Sequence, residues 1–139
     1  MKTLLLFIFA LISSSLYAQD NDKWFQLEGV SNPQYKIYLD KTTLDYAPGV
    51  TIIVDLKYEY TSDSLLNYSI NRVKFLVSKD EYEILSTANY YFPDKNGKKT
   101  EQLTKSINPI AIHLIPGSEM SVIYQGVYIQ AVTIGPTKK

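Results

Sequence analysis

The chain has no cysteine, a single histidine and a single tryptophan among its 139 residues, and its 14 Lys and Arg are matched by 14 Asp and Glu. Each scarcity closes a route. Without cysteine there is no disulfide, no thiol nucleophile and no attachment point for a bacterial lipid anchor. One histidine cannot supply the three or four nitrogen or sulfur ligands of most zinc sites, so no metal or other cofactor is expected. A balanced charge gives no electrostatic reason to bind nucleic acid or an anionic membrane. Gly-rich phosphate loops, GxSxG elbows and HExxH pairs are also missing, and no catalytic residue is assigned.

Long apolar runs are absent as well. The longest, Leu4 to Ile12, would span only about 13 Å as a helix against a hydrocarbon core of about 30 Å, so no integral membrane span is expected. Preceded by Lys2 and followed by Ser13, Ser14, Ser15 and Ala18, that run has the three-part plan of a secretory signal, placed at residues 1–18. A cut after Ser15, with Ser13 three residues before it, is the alternative to a cut after Ala18. Removing the first 18 residues leaves 121, Gln19 to Lys139, the size of one domain. The expected product is exported to the periplasm, the cell surface or the medium without a lipid anchor, and holds itself together by core burial alone.

What is abundant is tyrosine, twelve of them, with five phenylalanines. The strongest periodicity runs from Val50 to Tyr60: Val50, Ile52, Val54, Leu56, Tyr58 and Tyr60 share one face of an extended strand, and Thr51, Ile53, Asp55, Lys57 and Glu59 the other. Shorter strands are read at Trp24 to Val30, Tyr35 to Leu39, Val73 to Val77 and Tyr82 to Phe92. Asp94-Lys95-Asn96-Gly97 suits a hairpin that returns through Lys98 to Leu103. The polar stretch Thr61 to Ser69 reads as a loop, and the chain after Gly135-Pro136 as a frayed tail. Beyond Pro116-Gly117 the period changes. Met120, Ile123, Tyr124, Val127, Tyr128 and Ala131 form one helical stripe, with Ser118 as cap and Glu119 in the first turn. Gly126 inside it costs about 1 kcal/mol relative to alanine and keeps a strand over Val122 to Ile129 open as the alternative. The expected fold is α+β and mostly β: an antiparallel sheet of about five or six strands with one C-terminal amphipathic helix packed on it.

Few residues invite chemistry. His113 lies in the apolar run Ile110 to Ile115, where a packed or edge position is the ordinary reading. Asp40, Asp45, Asp55 and Glu59 lie close in sequence, but Asp55 and Glu59 are about 13 Å apart along one strand, too far for a paired carboxylate site. Asp94-x-Asn96-Gly97 begins a calcium-loop pattern without its remaining ligands, and a plain turn explains it. Tyrosine offers a large ring and a wet hydroxyl, which suits sheet rims and protein-binding surfaces alike. Tyr58, Tyr60, Tyr90 and Tyr91 are the candidate surface contacts.

The order of these pieces resembles the surface-adhesin protein E family of small exported bacterial proteins. The matching residues are Trp24, Tyr35 to Asp40 followed by Thr43-Leu44, the strand from Val50, Phe75-Leu76-Val77, Tyr82 to Ser86, the tyrosine pair before Asn96-Gly97, and Ile115-Pro116-Gly117-Ser118. Together they cover about Trp24 to Tyr128. Members commonly carry a cysteine after the Phe-rich strand and another near the chain end. Ser78 and Tyr128 mark those regions here, so the covalent staple is missing. The resemblance implies a non-enzymatic Gram-negative exported domain that binds an extracellular protein or surface macromolecule, and leaves a homodimer open. The alternative is a periplasmic envelope-accessory or small-molecule-binding protein.

Overall fold

A computed structural model describes residues 23–30, 32–61 and 65–139, so the expected signal segment lies outside the described residues. Among the described residues eight strands form one antiparallel sheet, followed by a helix: β1 (Trp24–Gln26), β2 (Tyr35–Asp40), β3 (Asp45–Ala47), β4 (Thr51–Tyr60), β5 (Leu66–Leu76), β6 (Glu81–Tyr91), β7 (Glu101–Lys105), β8 (Ile112–His113) and α1 (Glu119–Ile134). Six strands run in the order β1-β2-β4-β5-β6-β7. The two short extras continue the line of a neighbour: β3 pairs the start of β4 where β2 has ended, and β8 pairs the start of β6 below β7.

The alternation along β4 does what its period predicts. Ile52, Val54, Leu56 and Tyr58 are buried and the intervening residues are half-exposed. Val50 falls outside the strand, in the turn before it, and is 60% exposed. On the same face Ile37 and Leu39 of β2 and Val73 and Phe75 of β5 complete the floor of the core. The roof is α1. Ile123, Val127 and Ala131 are fully buried, Met120 and Tyr124 pack at the margins, and Tyr128, expected in the stripe, is exposed. Ser118 caps the helix by accepting from the Ser121 N–H at 3.3 Å, and the Gly135 N–H closes the far end on Ala131 O.

Gly126, the one glycine of the helical stripe, packs against Leu27 of the β1–β2 loop. A Cβ there would stand 2.9 Å from Leu27 Cδ2. The loss of helix propensity is offset by closer packing.

Three readings are corrected. Leu66 to Ser69, taken as loop, begins β5, because the partners β4 and β6 supply its backbone hydrogen bonds whatever its polarity. The Trp24 to Val30 strand shrinks to three residues. The tail is pinned: Thr137 N donates to Tyr46 O at 3.0 Å, and Thr137 Oγ1 accepts from Tyr46 N at 2.8 Å.

Candidate functional site

The site is set by a change of phase between β5 and β6. Residues opposite one another on neighbouring antiparallel strands share a face, and the face alternates along each strand. Starting at the β8 end, the helix-side face reads Ile52, Phe75, Tyr82, Ile112 in one row and Val54, Val73, Ile84 in the next. Leu85 then stands unopposed, since Val73 pairs Ile84 while Arg72 pairs Ser86. This bulge shifts β6 by one residue. Without it Ser86, Ala88 and Tyr90 would continue the core face of Tyr82 and Ile84; with it Thr87 and Asn89 do.

Beyond the bulge the helix-side face turns polar from β5 outward. One row is Leu56, Asn71, Thr87, Thr104 and the next is Tyr58, Ser69, Asn89, Gln102. Outside β4, whose Leu56 and Tyr58 belong to the core, all six are uncharged amides or aliphatic hydroxyls. Burial falls across them, from Ser69, buried beside the core, to Gln102 and Thr104 on a strand exposed along its whole length. Tyr60 stands at one margin with its hydroxyl 3.4 Å from Ser69 Oγ, and at the other the Tyr91 hydroxyl donates to Gln102 Oε1 at 3.3 Å. Asn71 Oδ1 is buried and meets no donor, the one such side-chain atom among the described residues. An apolar side chain like Val73 would avoid that penalty, about 1–3 kcal/mol. A cleft of about 620 Å³ adjoins the outer row, walled by Leu65, Tyr91, Phe92, Pro93 and Gln102, with the Asp94 and Glu101 carboxylates also on its lining.

The opposite face shows the complementary change. Near the core it carries ion pairs, Arg72 with Asp55 at 3.0 Å and Lys74 with Glu83 at 3.3 Å. Farther out come the row Ile70, Ala88, Leu103 and then the pair Tyr68 and Tyr90, stacked with ring centroids 4.4 Å apart. Burial, and then the Glu101 carboxylate beside it, push the Tyr90 phenol above its ordinary range. A second cleft, about 360 Å³, opens against Tyr68, Tyr90 and Lys99. Both clefts fall within the size range of ligand pockets, about 300–1,000 Å³.

No family model, no curated protein and no solved structure matches the chain.

Of the four tyrosines expected at the surface, Tyr58 is corrected. It is 8% exposed and part of the core, and burial first, with Glu119 next, raises its pKa. Tyr60 and Tyr91 border the same polar face, and Tyr90 lies on the opposite one. Sequence reasoning missed Tyr68, hidden in the supposed loop, and the amides Asn71, Asn89 and Gln102. The uncharged polar residues at alternate positions in Asn67 to Asn71 and Thr87 to Asn89 are a signal for Asn71 and Asn89, and Gln102 and Thr104 alternate in the same way on β7.

The remaining candidates have structural explanations. His113 is an edge residue, its side chain 79% exposed, with Nε2 3.7 Å from Glu81 Oε1. Asp40 is buried and holds the β2–β3 turn: its carboxylate accepts from Thr42 N at 2.9 Å and Thr42 Oγ1 at 2.6 Å, and pairs with Lys23 at 3.2 Å. Glu59 pairs with Lys57, whose ammonium also lies over the Trp24 and Tyr38 rings. Asp94 closes its own turn by accepting from Asn96 N and Lys98 N, with Gly97 at φ 77°. Glu119 fastens the start of α1 to the sheet. It accepts from the Tyr35 hydroxyl at 2.6 Å and from Asn32 Nδ2 at 3.3 Å. Burial and then this carboxylate push Tyr35 up to about 12. Among the described residues no group of three or more His, Asp or Glu is placed to hold a metal ion, and no helix is long and apolar enough to cross a membrane.

Proposed function

We propose that this is an exported, non-enzymatic binding domain of adhesin type, and that the far end of β5, β6 and β7 is its recognition surface for a macromolecule outside the cell. The observation that carries this reading is the exchange of polarity at the Leu85 bulge. A sheet that served only to support α1 would keep one apolar face throughout. Here the helix-side face becomes a hydrogen-bonding surface beyond the bulge, across β5, β6 and β7, and an aromatic pair appears behind it. Rigid strands hold both sets of side chains, and rigid placement lowers the entropy lost on binding. Tyrosines with one wet end are the residues such surfaces favour. The resemblance to the surface-adhesin protein E family supports the same class of function.

Two experiments test the proposal. Protease added to intact cells should cut the domain if it is displayed; full protection would move it to the periplasm and end the adhesin reading. Biolayer interferometry of the mature chain against matrix glycoproteins should show binding that weakens when Tyr68 and Tyr90, or Tyr60 and Tyr91, are replaced by alanine. Binding indifferent to both pairs would place the surface elsewhere.

A further inference from the structure

We propose that the helix-side face of the far sheet end binds a neutral glycan. This rests on the reading of that end as the recognition surface and assigns it a ligand class.

The two outer rows bring together three carboxamides, Asn71, Asn89 and Gln102, and three hydroxyls, Ser69, Thr87 and Thr104, with no ionisable side chain among these six; Ser69 and the Asn71 oxygen lie at the buried inner edge, and Thr87, Asn89, Thr104 and Gln102 are half-exposed or exposed. Each of these groups can both donate and accept. A sugar hydroxyl has the same double capacity, and a ligand presenting many hydroxyls at short intervals matches such a surface throughout. A charged partner does not, since nothing in the two rows would balance its charge. An extended peptide adding to β7 would use the strand's backbone edge, and the amides across β5 and β6 would be idle.

Neighbouring strands stand about 4.8 Å apart, so Asn89 and Gln102 can engage adjacent hydroxyls of one ring. The Tyr91 hydroxyl donates to Gln102 Oε1, which orients that amide before any ligand arrives. The apolar face of a pyranose then has a place against Tyr91 and Phe92 in the adjoining cleft of about 620 Å³. Asn71 adds a separate sign that these rows are not built for packing alone, because its Oδ1 is buried without a donor one row from the core residue Val73.

An array of neutral and acidic oligosaccharides, probed with the full mature chain, tests this. Fibronectin in native and enzymatically deglycosylated form is measured in parallel. Neutral glycans should bind, and the signal should survive 1 M NaCl because no charges meet. Asn89→Leu and Gln102→Leu should each weaken binding about tenfold, the effect of one hydrogen bond lost with its partner stranded. Gln102 is exposed, so an unchanged urea midpoint for Gln102→Leu identifies its loss as a loss of contact rather than of fold. Val132→Ser, on the exposed side of α1, should bind as the parent does. Glycan binding that ignores both variants, or binding only to acidic sugars at low salt, overturns the proposal. Equal binding to native and deglycosylated fibronectin with an inert glycan array overturns the glycan assignment and leaves the recognition surface standing. A folded chain that binds neither overturns both.

Discussion

Replacing Gly126 by alanine should destabilise the protein, against the ordinary expectation for an exchange inside a helix. On propensity alone the change is worth about 1 kcal/mol in favour of folding. Here the added methyl carbon would lie 2.9 Å from Leu27 Cδ2, where carbons are comfortable at about 3.5–4.0 Å. Leu27 is 4% exposed and belongs to the core cluster, so the methyl cannot be displaced without moving its packed neighbours. Overpacking of this kind costs about 1–3 kcal/mol, which leaves a net loss of about 1 kcal/mol. The atom that crowds the position, Leu27 Cδ2, disappears in Leu27→Ala. That change alone should cost about 2–5 kcal/mol. In its background Gly126→Ala should recover about 1 kcal/mol, so the effect of the same substitution reverses sign. Urea denaturation of the four proteins reads this as midpoint shifts at constant slope. If Gly126→Ala stabilises both backgrounds by the same amount, α1 does not lie against Leu27 and the docking described here is wrong.

Two further outcomes follow from the same contacts. Tyr35 and Tyr58 both have their pKa raised in the folded state, so their contribution to stability is complete below the unfolded value near 10; that of Tyr35 is lost as pH climbs from there through about 12, and that of Tyr58 at still higher pH. Thermal melts across that range should fall more gently in Tyr35→Phe than in the parent, and equal slopes would show that the Tyr35–Glu119 contact is absent in solution. Asp40→Ala should cost about 1–3 kcal/mol in urea titrations, since it removes the buried carboxylate that accepts from Thr42 N and Thr42 Oγ1 and pairs with Lys23; Asp40→Asn, which keeps an acceptor oxygen, should cost less than half as much, and a neutral effect of Asp40→Ala would show that the turn does not depend on this carboxylate.

The sequence was most informative where one face alone is buried. β4 could be read residue by residue because its odd and even positions meet water and core respectively, and α1 because Ile123, Val127 and Ala131 recur at helical spacing. Its glycine was misleading in isolation, since the reason for it is Leu27, a residue 99 positions earlier. The candidate site was legible only in part. Leu66 to Ser69 carries no strand signature because its partners on both sides dictate the extended backbone whatever its polarity. The even phase of Tyr82, Ile84, Ser86, Ala88 and Tyr90 suggests a single face, and nothing local marks Leu85 as the residue that breaks it. A bulge is a property of the pair of strands. Tyr58 is hidden from sequence for a related reason: its ring is core, and only its neighbour Tyr35, whose ring lies 5.5 Å from that of Tyr58 and 5.8 Å from that of Tyr60, shows how the tyrosines divide between burial and rim.

The claim that the far end of the sheet is a neutral-glycan surface is tested most directly by following the side-chain amide resonances of the ¹⁵N-labelled mature chain while a neutral oligosaccharide that binds on the array is added. The Asn71, Asn89 and Gln102 amides should shift together along one saturation curve, with the backbone signals of Thr87 and Thr104, while those of α1 stay in place. Shifts confined to α1 or to β1 and β2, with the three amides unmoved at saturation, would contradict it.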